Sequence, residues 1–219
     1  MTQLLLGIAP PWQPTLDNFV IGRNMELHSA LRHALASTGG ERGFYLWGEA
    51  VSGKSHLLQA VVARATTLGQ SAVYARAVVP QAAQVVAVDS LEESAQISLF
   101  ELYNRMRENG GLLLVSGQAA PAHLNLRDDL RTRLGWGMVY QVHGLNDEEK
   151  SRALHAHAAA RGFELPAEVT NYLLRHGRRD MPYLLGILDE LDEHCLRLKK
   201  RAASVPLLKE VMKVSGEND

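Results

Sequence analysis

Residues 48–55 read Gly-Glu-Ala-Val-Ser-Gly-Lys-Ser and match the pattern G-x-x-x-x-G-K-[ST]. The short, almost wholly apolar run 43–47 precedes them as a predicted strand, and 54–68 follows as a predicted helix. A glycine-bearing turn in this setting directs several backbone N–H groups into one concavity at the positive end of a helix. The motif therefore predicts a phosphate-binding loop (P-loop) in an α/β fold.

Each residue that the pattern specifies has a chemical role. Gly48 and Gly53 permit the backbone conformations that the concavity needs, and Lys54 can reach the outer phosphates of a nucleotide. The hydroxyl of Ser55 can ligate Mg²⁺. The alternative is a glycine-rich turn that contains Gly-Lys-Ser by chance. The predicted nucleotide contacts also include Glu49, Ala50, Val51, Ser52 and His56, although the His56 imidazole is expected to serve helix packing.

Strands and helices alternate through the first two thirds of the chain. The run 84–89 is apolar on both faces, as in a parallel sheet that helices cover on each side. This rhythm predicts a five-stranded parallel sheet sandwiched by helices. The other predicted strands are 71–76, 112–116 and 138–142, and the other predicted helices are 24–36, 92–108 and one around 126–134.

The chain after Gly144 predicts helices alone. Asn146 and Glu149 have the spacing of a capping box at the start of a helix 147–161. A helix over 181–198 carries one apolar stripe that ends at Leu198. We therefore expect three parts: a proline-rich tether over 1–14, an α/β nucleotide-binding domain over 15–144, and a small all-α lid domain over 145–219.

Asp89 ends a hydrophobic strand and is the candidate partner of Ser55 in holding Mg²⁺. The alternative is an ordinary carboxylate at a strand end. Ser90 follows at the position where a hydrolytic enzyme of this type carries a second carboxylate for the attacking water. Glu92 or Glu93 could substitute only if the loop folds back. We therefore expect nucleotide binding with weak or no intrinsic ATPase activity.

Composition excludes several other classes of protein. The formal net charge is −1, which disfavours strong direct binding to DNA phosphates. One cysteine, Cys195, excludes an internal disulfide and a four-thiolate metal site, and it favours a cytoplasmic location. No apolar run reaches 18 residues, so we expect no membrane partner. The histidines lack ligand spacing, so we expect no metal other than Mg²⁺.

Three stretches together resemble the AAA+ module of the bacterial initiator DnaA. They are Thr-Leu-Asp-Asn-Phe-Val-Ile-Gly-Arg-Asn over 15–24, Ser-His-Leu-Leu over 55–58, and Leu-Arg-Thr-Arg-Leu-Gly-Trp-Gly over 130–137. The resemblance covers about residues 15–214. It implies an AAA+ P-loop fold, an ADP or ATP cofactor with Mg²⁺, and adenine contacts from Val20 and Ile21.

Two departures from DnaA make the layout similar to that of Hda, the DnaA-related regulators that inactivate DnaA. The chain carries no helix-turn-helix segment after the lid and no long oligomerisation domain before residue 15. Its N-terminal hexamer is similar to peptides that bind the replicative sliding clamp, with apolar anchors and a polar glutamine. The implied clamp contacts are Gln3, Leu4, Leu5, Leu6, Gly7 and Ile8.

The resemblance places Arg133 at the position of an arginine finger, which acts on the γ-phosphate of a neighbouring subunit. Arg131 is the second candidate, and the alternative is a surface ion pair of Arg133 with Asp128 or Asp129. Trp136 is expected to be a packing anchor. The two nucleotide sensors of the family are altered, since Gln118 and Pro182 stand near their positions and Arg178 or Arg179 are the nearest arginines in the lid.

These features predict a negative regulator of the initiation of DNA replication. By the resemblance, it would be tethered to the DNA-loaded sliding clamp of DNA polymerase III and would stimulate ATP hydrolysis by DnaA. It would meet DNA only through the clamp, would be cytoplasmic and nucleoid-associated, and could form homo-oligomers. The alternatives are an autonomous helicase-loader ATPase of the DnaC or IstB type and a DNA-anchoring adaptor.

Overall fold

The structure is a computed structural model that describes residues 13–37, 39–81, 83–198 and 202–216. The chain divides into two compact units, one over residues 14–153 and one that begins at Leu154. Across the described ranges, none of the helices combines the length and the apolar character that crossing a membrane requires.

The first unit contains a sheet of five parallel strands, and the predicted α/β class is confirmed. The strands lie side by side in the order β2-β3-β4-β1-β5, so β1 pairs with both β4 and β5. The first strand is therefore interior, and the P-loop leaves the sheet near its middle. The bounds are β1 Gly43–Trp47, β2 Ala72–Arg76, β3 Val85–Asp89, β4 Leu112–Gly117 and β5 Met138–Gln141.

Helices cover both faces of this sheet, as the apolar strands predict. On one face α1 (Met25–Ala36) and α2 (Lys54–Thr67) pack on side chains such as Leu46 and Ala87. On the other face α3 (Gln96–Glu108) and α4 (Asp128–Trp136) pack on side chains such as Tyr45. Every residue of β3 is buried, because both of its faces lie under helices.

Helix α3 begins later than the sequence predicts. Ser90 adopts a left-handed conformation with φ of +61°, which an α-helix cannot contain. Residues 91–93 then form one short 3₁₀ turn, and the α-helix begins only at Gln96. The predicted start at residue 92 was wrong because the left-handed turn redirects the chain before the helix.

Four helices follow β5. They are α5 Asp147–Ala160, α6 Ala167–His176, α7 Met181–Arg197 and α8 Val205–Gly216. The capping box of α5 is confirmed: the N–H of Glu149 donates to Asn146 Oδ1 and the N–H of Asn146 donates to Glu149 Oε2, both at 2.8 Å. Leu198 does not continue the apolar stripe, since α7 ends before it and its side chain is 53% exposed.

Candidate functional site

The P-loop joins β1 to α2, and two of its positions require glycine. Gly48 has φ of +153°, and a Cβ atom there would lie 2.4 Å from the carbonyl oxygen of Val142. Gly53 has φ of +104°, and its Cβ position lies 3.0 Å from the ring of Phe19. These close approaches hold the loop between the residues that follow β5 and a segment that precedes α1.

The middle of the loop is exposed and bent. Val51 is 65% exposed and has φ of +61°, which a β-branched residue rarely adopts. Ser52 is buried, and its N–H donates to the carbonyl of Glu49 at 3.3 Å. Glu49 and Ala50 are exposed. A left-handed valine persists only where the surrounding loop fixes it, and such conformations concentrate at ligand sites.

Lys54 is the first residue of α2, and its ammonium turns back over the loop. The Nζ atom donates to the carbonyl oxygens of Gly48 and Glu49, at 2.7 Å each. Burial lowers the pKa of Lys54, while the negative charges of Asp89 and Glu92 act in the opposite direction. Its Nζ atom also donates to the hydroxyl of Ser52 at 3.4 Å. The cation therefore lies on neutral dipoles of its own loop, at the end of a helix that already carries positive partial charge.

Asp89 ends β3, and its carboxylate accepts hydrogen bonds from hydroxyl groups. Ser116 at the end of β4 donates to its Oδ1 atom, and Tyr74 on β2 donates to Oδ2 at 2.8 Å. The hydroxyl of Ser55 also hydrogen-bonds this carboxylate. Burial alone would raise the pKa of Asp89, but these hydrogen bonds and the charge of Arg76 lower it. The carboxylate therefore stays ionised beside the Ser55 hydroxyl, and together they supply the oxygen ligands that Mg²⁺ prefers.

Ser90 supplies no carboxylate, and its backbone is already engaged. Its N–H donates to Asp89 Oδ1 and to Ser116 Oγ, at 3.1 Å each. The 3₁₀ turn folds Glu92 back toward the end of β4, where Glu92 Oε1 accepts the N–H of Gln118 at 2.6 Å. This carboxylate lies at the end of β4, since the Cβ position of Gly117 is 3.1 Å from Glu92 Oε1. Burial raises the pKa of Tyr45, and the charge of Glu92 adds to that rise.

The segment with Val20 and Ile21 lies along the residues that follow β5. Asn24 Nδ2 donates to the carbonyls of Ile21 and His143, and its Oδ1 accepts the N–H of His143 at 2.8 Å. Gly144, the next residue, approaches Ser52 so closely that its Cβ position lies 3.7 Å from Ser52 Cα. Val20 and Ile21 are half-buried in this neighbourhood, while their predicted contact with adenine stays a prediction.

Two histidines hydrogen-bond the segment that precedes α1, a feature that the sequence did not reveal. One histidine lies on α1 and the other on α2. The ring of His56 bonds the carbonyl of Thr15 at 2.9 Å, and the ring of His28 bonds that of Leu16 at 2.8 Å. Phe19 lies against both imidazoles, with ring centroids 5.2 and 6.3 Å away. The expected packing role of His56 therefore includes a long-range hydrogen bond, which no local pattern signals.

Arg133 lies on α4, away from the P-loop. Its guanidinium carbon is 4.4 Å from the ring centroid of Trp136 and 5.9 Å from that of Phe100. The two nearby carboxylates bind other partners, since Asp129 pairs with Arg127 and Asp128 pairs with Arg131. The alternative ion pair of Arg133 is therefore wrong. Trp136 is also not a packing anchor, because its side chain is 56% exposed.

The structure does not decide the predicted sensor residues of the lid or the predicted clamp contacts. In the helical unit, Pro182 stands in the first turn of α7, and Arg178 pairs with Asp180 at 3.2 Å and lies over the Tyr183 ring. These contacts leave the choice of a sensor arginine between Arg178 and Arg179 as a prediction. The predicted clamp contacts, residues 3–8, lie outside the described residues.

One protein family matches the helices that follow β5. Residues 147–212 match the family model described as the lid domain of Hda. This match begins at the first residue of α5 and ends within α8. The four helices after β5 are therefore similar to the lid domain of Hda.

Solved structures resemble most of the chain in fold. Domain III of the Thermotoga maritima replication initiation protein DnaA has a TM-score of 0.71 at 17% identity, with 91% of this chain and 95% of that chain covered. AMPPCP-bound DnaA from Aquifex aeolicus has a TM-score of 0.67 at 19% identity, with 82% and 65% covered. A Thermotoga maritima RuvB mutant has a TM-score of 0.64 at 15% identity, with 92% and 72% covered. These likenesses establish the fold.

The burial of His56 predicts a pH-dependent stability, and its hydrogen bond to Thr15 opposes this effect without cancelling it. Burial lowers the pKa of His56 below its ordinary value of 6.5. The unfolded chain therefore binds the proton first, and stability present above pH 6.5 is lost as the pH falls through the folded pKa. Glutamine keeps an N–H donor but does not titrate, so His56→Gln should flatten the decline between about pH 7 and pH 5.

The measurement is the free energy of unfolding in urea at several pH values. His33→Gln is the matched control, because His33 is exposed on α1. Its pH profile should stay that of the wild type. Equal slopes for wild type and His56→Gln would contradict the prediction.

Proposed function

Since this chain is an AAA+ protein related to Hda and DnaA, we propose that it is a nucleotide-bound negative regulator of replication initiation. In this proposal its P-loop holds ADP or ATP, and Arg133 acts on ATP that is bound to DnaA. The N-terminal hexamer tethers the protein to the DNA-loaded sliding clamp. The protein is then an activator of hydrolysis in a partner, rather than a fast ATPase itself.

One observation carries the nucleotide part of the proposal. The Lys54 ammonium lies 2.7 Å from two carbonyls of its own loop, at the amino end of the 14-residue helix α2. Phosphate oxygens are stronger acceptors than carbonyls for such a cation, and the helix end favours anionic charge. The binding of AMPPCP by the DnaA of Aquifex aeolicus supports an adenine nucleotide.

Ser55 and Asp89 would hold Mg²⁺ in this site. The ion would neutralise part of the phosphate charge. Asp89 is suited to this role because its lowered pKa keeps it ionised at neutral pH. Tyr74 and Ser116 fix the orientation of the carboxylate through their hydroxyl groups.

Slow hydrolysis in this site follows from the surroundings of Ser90. A serine hydroxyl is a poor general base at neutral pH, and the carboxylate of Glu92 is bonded to the N–H of Gln118. The nucleotide would therefore stabilise the domain for long periods rather than turn over. A bound ligand of this kind adds stability that grows with the logarithm of its concentration relative to its Kd.

The proposal assigns the chemistry on DnaA to Arg133. Its guanidinium is held by aromatic rings and not by a carboxylate, so its positive charge is not neutralised by an ion pair among the described residues. An arginine finger stabilises the charge that develops on the transferred phosphoryl oxygens, and it typically accelerates hydrolysis ~10³–10⁵-fold.

Lys54→Ala should weaken the affinity for ADP and ATP by about ten- to a hundredfold, because charge-assisted hydrogen bonds to phosphate are lost. Isothermal titration calorimetry with Mg²⁺ measures this change. Lys213→Ala, an exposed lysine of α8, is the control and should bind as the wild type does. Undiminished affinity in Lys54→Ala would refute the nucleotide site, and rapid hydrolysis by the isolated protein on single-stranded DNA would favour the helicase-loader alternative.

Arg133→Ala should reduce the clamp-dependent stimulation of ATP hydrolysis by DnaA to the unstimulated rate, because the transition-state charge loses its cation. The measurement is phosphate release by ATP-bound DnaA with clamp loaded on DNA. Arg131→Ala is the matched control two residues away on the same helix, and it should retain most of the stimulation. Loss in Arg131→Ala with full activity in Arg133→Ala would reassign the finger.

Replacing Gln3 and Leu4 by alanine should remove binding to the sliding clamp, because the polar contact and one apolar anchor are lost together. A pull-down with purified clamp measures the binding, and Thr2→Ala serves as the control. Nucleotide affinity should be the same in all three proteins. Retained clamp binding after the double substitution would refute the tether.

A further inference from the structure

Helix α4 carries a half-buried arginine and an exposed tryptophan that contact each other. The guanidinium carbon of Arg133 lies 4.4 Å from the centroid of Trp136 and 5.9 Å from that of Phe100 on α3. Positions three apart on a helix are neighbours on one face. The indole is 56% exposed, although a tryptophan of a packed α/β unit normally lies mostly buried. A large exposed aromatic ring beside a candidate finger needs a physical explanation.

The backbone that carries this pair is firmly held. Leu130 and Leu134 of the same helix are buried in the core under the sheet. Gly137 ends the helix so close to β1 that a Cβ atom there would lie 2.4 Å from the carbonyl oxygen of Gly43. The buried leucines and the close approach at Gly137 therefore fix the end of α4 against the core and β1.

Arg133 contacts aromatic rings, and a second arginine shares one of those rings. Arg107 on α3 also lies over the indole, with its guanidinium carbon 5.3 Å from the centroid. Of the acidic side chains on the same helix, Asp128 and Asp129 are bonded to Arg131 and Arg127. A carboxylate partner would neutralise Arg133 and compete with phosphate, whereas an indole face orients the cation and leaves its charge available.

We propose that Trp136 is a positioning residue for Arg133, an inference that rests on the proposed function of Arg133 as a finger. The indole holds the long arginine side chain in one extended arrangement before the partner docks. Ordering a flexible arginine otherwise costs conformational entropy at the moment of reaction. The exposed ring is then part of the machinery that presents the guanidinium, and it acts through Arg133 rather than on the nucleotide.

The test uses the full-length protein in the stimulated hydrolysis assay with DnaA, clamp and DNA. Trp136→Ala should lower the maximum stimulated rate by about three- to tenfold, the range expected for losing a cation–π contact together with its ordering effect. Trp136→Phe keeps an aromatic face and should recover most of that rate. Gly135→Ala is the matched control beside the ring, because its Cβ position meets no atom within 4 Å.

The dependence on protein concentration separates positioning from docking. A positioning role lowers the maximum rate and leaves the half-saturating concentration unchanged. A higher half-saturating concentration with an unchanged maximum would overturn the inference, because Trp136 would then be a docking contact alone. Thermal melting and ADP affinity of each variant should match the wild type, which confirms that the loss is not one of folding.

The outcome for Arg133→Ala distinguishes this inference from the proposed function. If Arg133→Ala is inactive and Trp136→Ala is fully active, the finger stands and the positioning role is refuted. If Arg133→Ala retains full activity, the proposed function fails and the inference fails with it. The inference is supported only when Arg133→Ala is inactive, Trp136→Ala is impaired in maximum rate and Trp136→Phe is restored.

Discussion

The Lys54 ammonium donates to the carbonyls of Gly48 and Glu49 and to the hydroxyl of Ser52, and among the described residues no carboxylate hydrogen-bonds it directly. This arrangement depends on the parallel sheet. The order β2-β3-β4-β1-β5 sets the end of β4 between the ends of β1 and β3, so the loop that follows β1 meets Asp89 from β3 and Ser116 from β4. Because all five strands run the same way, their polar ends share one edge. The candidate site follows directly from that topology.

Two regions of the first unit have different roles in the proposed function. The P-loop edge combines a cation, an ionised carboxylate and hydroxyl groups, which suits the binding of a nucleotide. Helix α4 combines Arg133 with aromatic rings, which suits action on a partner. Ser90 supplies no carboxylate to activate water. A site of this kind favours binding of a nucleotide over its hydrolysis. In the proposed function, the protein hydrolyses its bound nucleotide slowly and uses Arg133 on the nucleotide of a partner.

Much of the fold was predictable because apolar runs and glycines mark the strands without ambiguity. The capping box of Asn146 and Glu149 was also predictable, since it depends on three-residue spacing alone. The start of α3 was not, because the left-handed Ser90 reflects tertiary contacts with Asp89 and Ser116. The hydrogen bond of His56 to Thr15 and the exposure of Trp136 likewise depend on residues distant in sequence or on packing that no local pattern encodes.

The central claim is that the loop ending at Lys54 and Ser55 cradles a phosphate group. A crystal structure determined with ADP and Mg²⁺ tests it most directly. The account predicts that the Lys54 ammonium leaves the carbonyls of Gly48 and Glu49 for a phosphate oxygen, with Mg²⁺ held beside Ser55 and Asp89. A structure with the nucleotide bound elsewhere, and with Lys54 still on its own loop, would contradict it.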